Sequence, residues 1–214
     1  MHIIRDKIAR NGQSYVGGYY LGSECYIPAK NYMTPPELAQ DFAFERQWLY
    51  YMAWGRLLYN PETSDEAFIA ACKARFGNPG EILFEALKLG SRMPLRLATF
   101  FKGTWDFSLY SEGFSSIYAE DTIRGLISVN DLIKRKPMDP DYLSIPEYIK
   151  TLSDVSGIPE GKIIPLTLAD MLIDDGDQAL ELMKKLPGKL SREFEIELAD
   201  ARAWAYLSKY FGNK

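Results

Sequence analysis

Glu24 is the residue of this chain best placed for chemistry, because it ends a short apolar segment that carries glycines. Residues 18–26 read GYYLGSECY. The apolar part of this stretch, up to Glu24, predicts a buried strand that delivers a carboxylate to the rim of a pocket. A carboxylate there can accept hydrogen bonds from sugar hydroxyls while tyrosine rings stack on pyranose faces. We therefore predict that Glu24, flanked by Tyr20, Tyr26 and then Asn31, binds a carbohydrate substrate.

A structural role competes with this interpretation. The Glu24 carboxylate can instead cap the following loop by binding backbone amides, or pair with Lys30 or Arg46. Arg46 and Arg56 lie in a strongly aromatic stretch, where a buried guanidinium needs a carboxylate partner because an unpaired buried charge costs several kcal/mol. The pattern favours a role in fastening this stretch to neighbouring loops. The alternative is a contact to a ligand, for instance to the carboxylate of a uronate.

Several kinds of site are excluded by composition. The chain has one histidine, His2, so it cannot hold a Ser-His-Asp or Cys-His catalytic set or a multi-histidine metal site. Gly17, Gly18 and Gly22 lack the spacing and the following helix of a phosphate-binding loop. Residues 174–177, Asp-Asp-Gly-Asp, resemble part of a calcium loop, but the closing glutamate is missing, so they predict an interruption of a helix. We expect no cofactor, no bound metal and no catalytic residue.

Overall composition is that of one globular unit or two small ones. Hydrophobic residues make up 47% of the 214 residues and aromatic residues 14%, which is ample for a core. A net charge of -4 gives no basic surface for nucleic acid. Apolar runs fall short of the roughly 18 to 20 residues that span a bilayer, so no membrane partner is expected. Cys25 and Cys72 are interpreted as buried thiols rather than a disulfide.

One aromatic helix is predicted to form the centre of the fold. After the prolines at positions 35 and 36, residues 37–59 contain good helix formers until Asn60 and Pro61 terminate the pattern. Large apolar side chains occupy nearly every face of this helix. We therefore expect it to be covered on most sides, with Trp54 in the core.

Capping and proline signals predict the ends of the other helices. The capping boxes are Thr63 with Glu66 and Ser144 with Glu147. The predicted helices cover residues 63–77, residues 79–102 with a kink at Pro94, residues 119–134, a stretch from residue 144, residues 166–186 and residues 191–211. No repeat of fixed period emerges.

Three short motifs carry a resemblance to a known family. They are Ser-Glu-Cys-Tyr at 23–26, Trp-Gly-Arg-Leu at 54–57 and Tyr-Asn-Pro at 59–61, and the final helix, ELADARAWAYLSKYF, adds a looser likeness. Over residues 15–77 the chain resembles the C-terminal region of α-glucuronidase-type and related multidomain glycoside hydrolases, where a catalytic (β/α)8 barrel ends and a helical domain begins. In that family carboxylates at the ends of barrel strands line the substrate pocket, and Glu24 is the one such position here.

The chain is thus expected to be all-α. An irregular multi-helix domain, residues 37–214, follows residues 1–36, which hold a short strand remnant of a (β/α)8 barrel and a linker. A whole barrel needs about 250 residues, more than this chain supplies. The resemblance implies the C-terminal helical part of a carbohydrate-active enzyme, a glycoside hydrolase, that supports the barrel and contributes at most a rim residue to the sugar site.

The alternative is a stand-alone, non-catalytic helical module that binds a glycan or a protein. Under the first reading the chain meets its carbohydrate substrate through the parent enzyme, and the isolated chain has no activity. A homo-oligomer is compatible with either reading. The sequence leaves the cellular location open, and the resemblance implies a secreted or periplasmic parent.

Overall fold

The structure is a computed structural model that describes residues 2–11, 17–18, 45, 47–98, 134, 136–137, 139–154 and 157–214. Within these ranges the chain forms eight helices: α1 (His2–Asn11), α2 (Trp48–Tyr59), α3 (Asp65–Phe76), α4 (Pro79–Gly90), α5 (Arg92–Ala98), α6 (Ile145–Ser153), α7 (Pro165–Met183) and α8 (Arg192–Asn213). A single parallel bridge joins Tyr142 and Ile163, and no strand occurs in the described ranges. The prediction of an all-α fold is confirmed for this part of the chain.

The chain divides into two compact units. The first unit comprises residues 1–84 and 189–194, and the second comprises residues 85–188 and 195–214. The predicted boundary between residues 36 and 37 lies outside the described residues, as does the predicted strand remnant. Both stay predictions.

The first unit is built on a core that four helices share. Its buried side chains are Ile8 of α1, Ala53 and Leu57 of α2, Phe68 and Cys72 of α3 and Phe84 of α4. The rings of Phe68 and Phe84 stack with their centroids 6.2 Å apart. Cys72 is fully buried as a thiol, which confirms the prediction for this cysteine. The other cysteine, Cys25, lies outside the described residues.

The second unit has its own core, in which Met93, Leu168 and Leu172 are buried. Four partly buried side chains pack against them: Tyr142, Ile145, Trp204 and Phe211. Helices α7 and α8 approach each other so closely that a Cβ atom added to Gly176 would lie 2.6 Å from the carbonyl oxygen of Ala205. This close approach fixes which faces of α7 and α8 remain outside.

Most predicted helix ends are confirmed. Helix α2 ends before Asn60, and α3 ends before Gly77, whose φ of +70° is a conformation that favours glycine. At the start of α6 the predicted capping box forms, because Ser144 Oγ accepts from the Glu147 backbone N–H at 3.2 Å while the Glu147 carboxylate accepts from the Ser144 backbone N–H at 2.9 Å. Hydrogen bonds from the Ser144 side chain and backbone lower the pKa of Glu147.

Three local predictions are wrong. The cap of α3 is Ser64 rather than Thr63, whose hydroxyl donates to the Asn60 carbonyl at 2.7 Å. The helix predicted over residues 79–102 breaks at Ser91 instead of kinking at Pro94. Pro94 thus lies in the first turn of α5, where a missing N–H costs no helical hydrogen bond.

The third wrong prediction concerns residues 174–177. They form an uninterrupted part of α7 rather than a break or a calcium loop. A glycine inside a helix weakens it by roughly 1 kcal/mol relative to alanine, and here packing against α8 outweighs that preference.

None of the described helices combines the length and apolar character that crossing a membrane requires.

Candidate functional site

The four residues predicted to bind substrate, Glu24, Tyr20, Tyr26 and Asn31, lie outside the described residues. Arg46, predicted as a structural partner, lies outside them as well. Their role stays a prediction. The described surface offers a different feature, an aromatic cluster on helix α2.

Helix α2 presents a cluster of three aromatic side chains, Tyr50, Tyr51 and Trp54, which we call the aromatic corner. Tyr50 lies at its centre, with the Tyr51 ring centroid at 5.4 Å and the Trp54 ring centroid at 6.4 Å. The ring planes meet at 83° and 61°, so the rings contact edge to face and do not cover one another as a stack. The result is a corner of differently oriented aromatic planes.

The backbone of α2 explains this position. Ala53 and Leu57, one helical turn apart, are the fully buried residues of the helix and face the core of the first unit. Tyr50 and Trp54 are also one turn apart and therefore lie above one another on the helix surface. The side chain of Tyr50 is 48% exposed, while those of Tyr51 and Trp54 are partly buried.

The expectation that α2 is covered on most sides is met for eight of its twelve residues, which are buried or partly buried, and is not met for the remaining four. Gly55, Arg56 and Tyr59 are exposed, and Tyr59 retains 93% of its accessible surface. Tyrosine keeps a polar hydroxyl that can remain in water, so a count of aromatic residues overstates how buried a helix must be. Trp54 is correspondingly a partly buried residue and not a central core residue.

The polar groups of the aromatic corner are suited to hydrogen bonding. Burial raises the pKa of Tyr50 above its ordinary value, and the neighbouring Tyr51 adds to this shift. A tyrosine hydroxyl is protonated at neutral pH in any case, and the one on Tyr50 can donate a hydrogen bond. Arg56 is exposed on the same helix, so its charge needs no buried carboxylate partner.

A second arrangement in the first unit involves Trp48 and Arg75. The Arg75 guanidinium lies 4.7 Å from the centroid of the Trp48 ring and also pairs with the carboxylate of Glu193. Phe76 and Phe194 meet edge to face beside this group with centroids 5.4 Å apart. A cation held between a ring and a carboxylate has little freedom to bind a ligand. We therefore interpret the Arg75 guanidinium as a stabilising contact of the fold rather than a binding group.

The second unit contains a cluster of charged side chains that sequence reasoning missed. Asp175 is buried, and its carboxylate forms two ion pairs. Arg92 Nη1 lies 2.8 Å from Oδ1, and Arg96 Nη2 lies 2.9 Å from Oδ2. The two arginines are one helical turn apart in α5, and this spacing in the sequence could have predicted that both contact the same carboxylate. No group of three His, Cys, Asp or Glu side chains in the described residues is arranged to hold a metal ion.

Comparisons with known proteins identify no relative. No protein-family model, no curated protein and no solved structure matches the chain. These comparisons therefore do not test the resemblance to α-glucuronidase-type glycoside hydrolases.

Proposed function

We propose that this chain is the C-terminal helical part of a carbohydrate-active enzyme and that it binds carbohydrate through the aromatic corner of α2. The observation that carries the proposal is the exposed Tyr50 ring, flanked edge to face by Tyr51 and Trp54. Sugars offer apolar C–H faces and a rim of hydroxyls. The aromatic planes, which meet at steep angles, offer surface for the C–H faces, and the tyrosine hydroxyls offer donors and acceptors for the sugar hydroxyls.

The expected affinity is low. The aromatic corner is a surface feature of one helix and not a deep pocket, so it covers only part of a sugar ring. A net hydrogen bond contributes about 1 kcal/mol, and aromatic contacts contribute a similar amount each. Because the cost of ordering a flexible ligand offsets part of their sum, we expect a dissociation constant no tighter than about 1 mM, equivalent to about 4 kcal/mol.

Titration of the protein with oligosaccharides, followed by NMR chemical shifts, tests the proposal. The panel contains neutral oligosaccharides and oligosaccharides that carry glucuronic acid, because the family resemblance favours a uronate. We expect wild-type binding near 1 mM and at least a tenfold loss in Tyr50→Ala and in Trp54→Ala. Tyr59→Ala is the matched control, since this tyrosine lies on the same helix, is 93% exposed and is outside the corner.

Thermal unfolding of the same variants separates binding from folding. Because Trp54 is partly buried, its truncation should cost less than the 3 to 5 kcal/mol typical of a fully buried aromatic side chain. Absence of binding by wild type up to about 10 mM would contradict the proposal, as would equal binding by all three variants. Binding that depends on Glu24 and not on the corner would instead favour the predicted rim residue.

A further inference from the structure

Helix α8 carries an exposed apolar stripe along the side that faces away from the core. Tyr206 is 62% exposed, Tyr210 is 47% exposed and Leu207 is 38% exposed. Ala203 and Ala199 are exposed, about one and two turns before Tyr206 respectively. The spacing places these five residues on one side of a helix, and the opposite side is buried: Leu198, Ala201, Ala205 and Ser208.

We propose that this stripe binds the same stripe of a second copy of the chain, with the two α8 helices antiparallel. Small and large side chains alternate along the stripe in an order that suits this pairing. In a two-fold pairing centred on residues 204 and 205, Ala203 lies opposite Tyr206 of the second copy, and Ala199 lies opposite its Tyr210. Each large ring then meets a small residue, which lets the two helices approach closely. A parallel pairing would set tyrosine against tyrosine.

Two residues of opposite charge flank the stripe and suit the same pairing. Asp200, Leu207 and Lys214 are seven residues apart and lie along one flank of the stripe. A two-fold axis perpendicular to both helices brings this flank of each copy to the same side. Asp200 of one copy then lies about 7.5 Å along the helix axis from Lys214 of the other, which is within the reach of a lysine side chain. Each dimer contains two such pairs of opposite charge.

The available area indicates a weak dimer. An aromatic side chain contributes about 200 Å², so the exposed parts of Tyr206 and Tyr210 supply roughly 220 Å² per copy. With Leu207 and the two alanines the stripe supplies roughly 400 Å² per copy, about half of the 800 Å² per partner of a standard interface. We therefore expect monomer and dimer to exchange at micromolar to millimolar concentrations rather than form a permanent assembly.

Sedimentation equilibrium over about 10 µM to 1 mM protein tests the pairing. Wild type should show a reversible monomer–dimer equilibrium, and the dissociation constant should rise at least tenfold in Tyr206→Ala and in Ala203→Tyr. The double variant that combines both changes exchanges the large and small partners across the two-fold axis. It should recover most of the wild-type affinity. Tyr59→Ala removes a more exposed tyrosine from α2 and should dimerise like wild type.

The outcomes separate clearly because the altered side chains are exposed and folding can be checked by circular dichroism. Wild type that is monomeric throughout the concentration range would overturn the proposal. A double variant no better than its single variants would overturn the antiparallel arrangement. Lys214→Glu supplies a test without aromatic residues: dimerisation should weaken, and Asp200→Lys in the same chain should restore it. Unchanged dimerisation by Lys214→Glu would count against the pairing of these two charges.

Discussion

Asp175 shows how neighbouring residues in one motif acquire different environments. Residues 174–177 look alike in the sequence, yet an α-helix rotates by about 100° per residue and turns each side chain toward different surroundings. Asp174 is exposed, Asp177 pairs with Lys209, and Asp175 is buried against Arg92 and Arg96. The buried carboxylate therefore holds α5 against α7 through two ion pairs.

We predict that Asp175→Asn destabilises the protein by about 3 kcal/mol. Removal of one partner from a buried ion pair leaves the other charge without compensation and costs about 3 to 5 kcal/mol, and the lower end applies because both guanidinium groups partly reach solvent. Urea unfolding measures the change. Asp174→Asn removes the same charge from the exposed neighbouring position and should alter stability by less than about 0.5 kcal/mol. Equal stability of the two variants would show that the ion pairs add nothing.

Helix packing in the second unit depends on small residues. Gly176 lies against the backbone of Ala205, and Gly212 lies against the backbone of Ala169, so each close contact between α7 and α8 has a glycine on one of the two helices. Close approach of two backbones makes the contact intolerant of added atoms, because protein interiors are densely packed. The same contact turns the tyrosines of α8 outward.

Gly176→Ala should destabilise the protein by about 2 kcal/mol, although alanine is the better helix former. The new Cβ would lie 2.6 Å from the Ala205 oxygen and 2.6 Å from Lys209 Cγ, and overpacking of this kind costs about 1 to 3 kcal/mol. Gly55→Ala in α2 is the matched control, because nothing lies within 4 Å of the Cβ atom that this substitution adds. That substitution should stabilise the protein by about 0.5 to 1 kcal/mol. Thermal and urea unfolding distinguish the two, and a stabilising Gly176→Ala would refute the close contact.

The described residues form two helical units with separate cores, and they carry the aromatic corner and the α8 stripe. The aromatic corner belongs to the first unit, and the α8 stripe belongs to the second. Neither surface contains the pair of carboxylates, roughly 5 to 9.5 Å apart, that glycosidases use.

We expect the isolated chain to hydrolyse no aryl glycoside above background. The resemblance supplies one candidate carboxylate, Glu24, and the single histidine cannot complete another catalytic set. Release of the chromophore from an aryl glucuronide, xyloside or hexosaminide measures activity directly. Turnover that Glu24→Gln abolishes would show that the chain holds a complete active site.

Signals confined to neighbouring residues predicted much of the described fold. The ends of α2, α3 and α6 follow from Asn60, Gly77 and the Ser144 capping box, because caps and turns depend on backbone geometry within a few residues. The same reasoning missed α1, which has no comparable capping signal. Its Ile8 is buried by contact with distant helices.

The candidate sites divide in the same way. An aromatic run in α2 and a tyrosine-rich final helix are visible in the sequence, so the chemical character of both surfaces follows from composition. Which rings face water depends on contacts between residues far apart in the chain, such as Asp175 with Arg92 or Gly176 with Ala205. Local propensity carries no information about such contacts. The sequence therefore specifies the helices and their residue types, whereas packing between helices selects the faces that remain exposed.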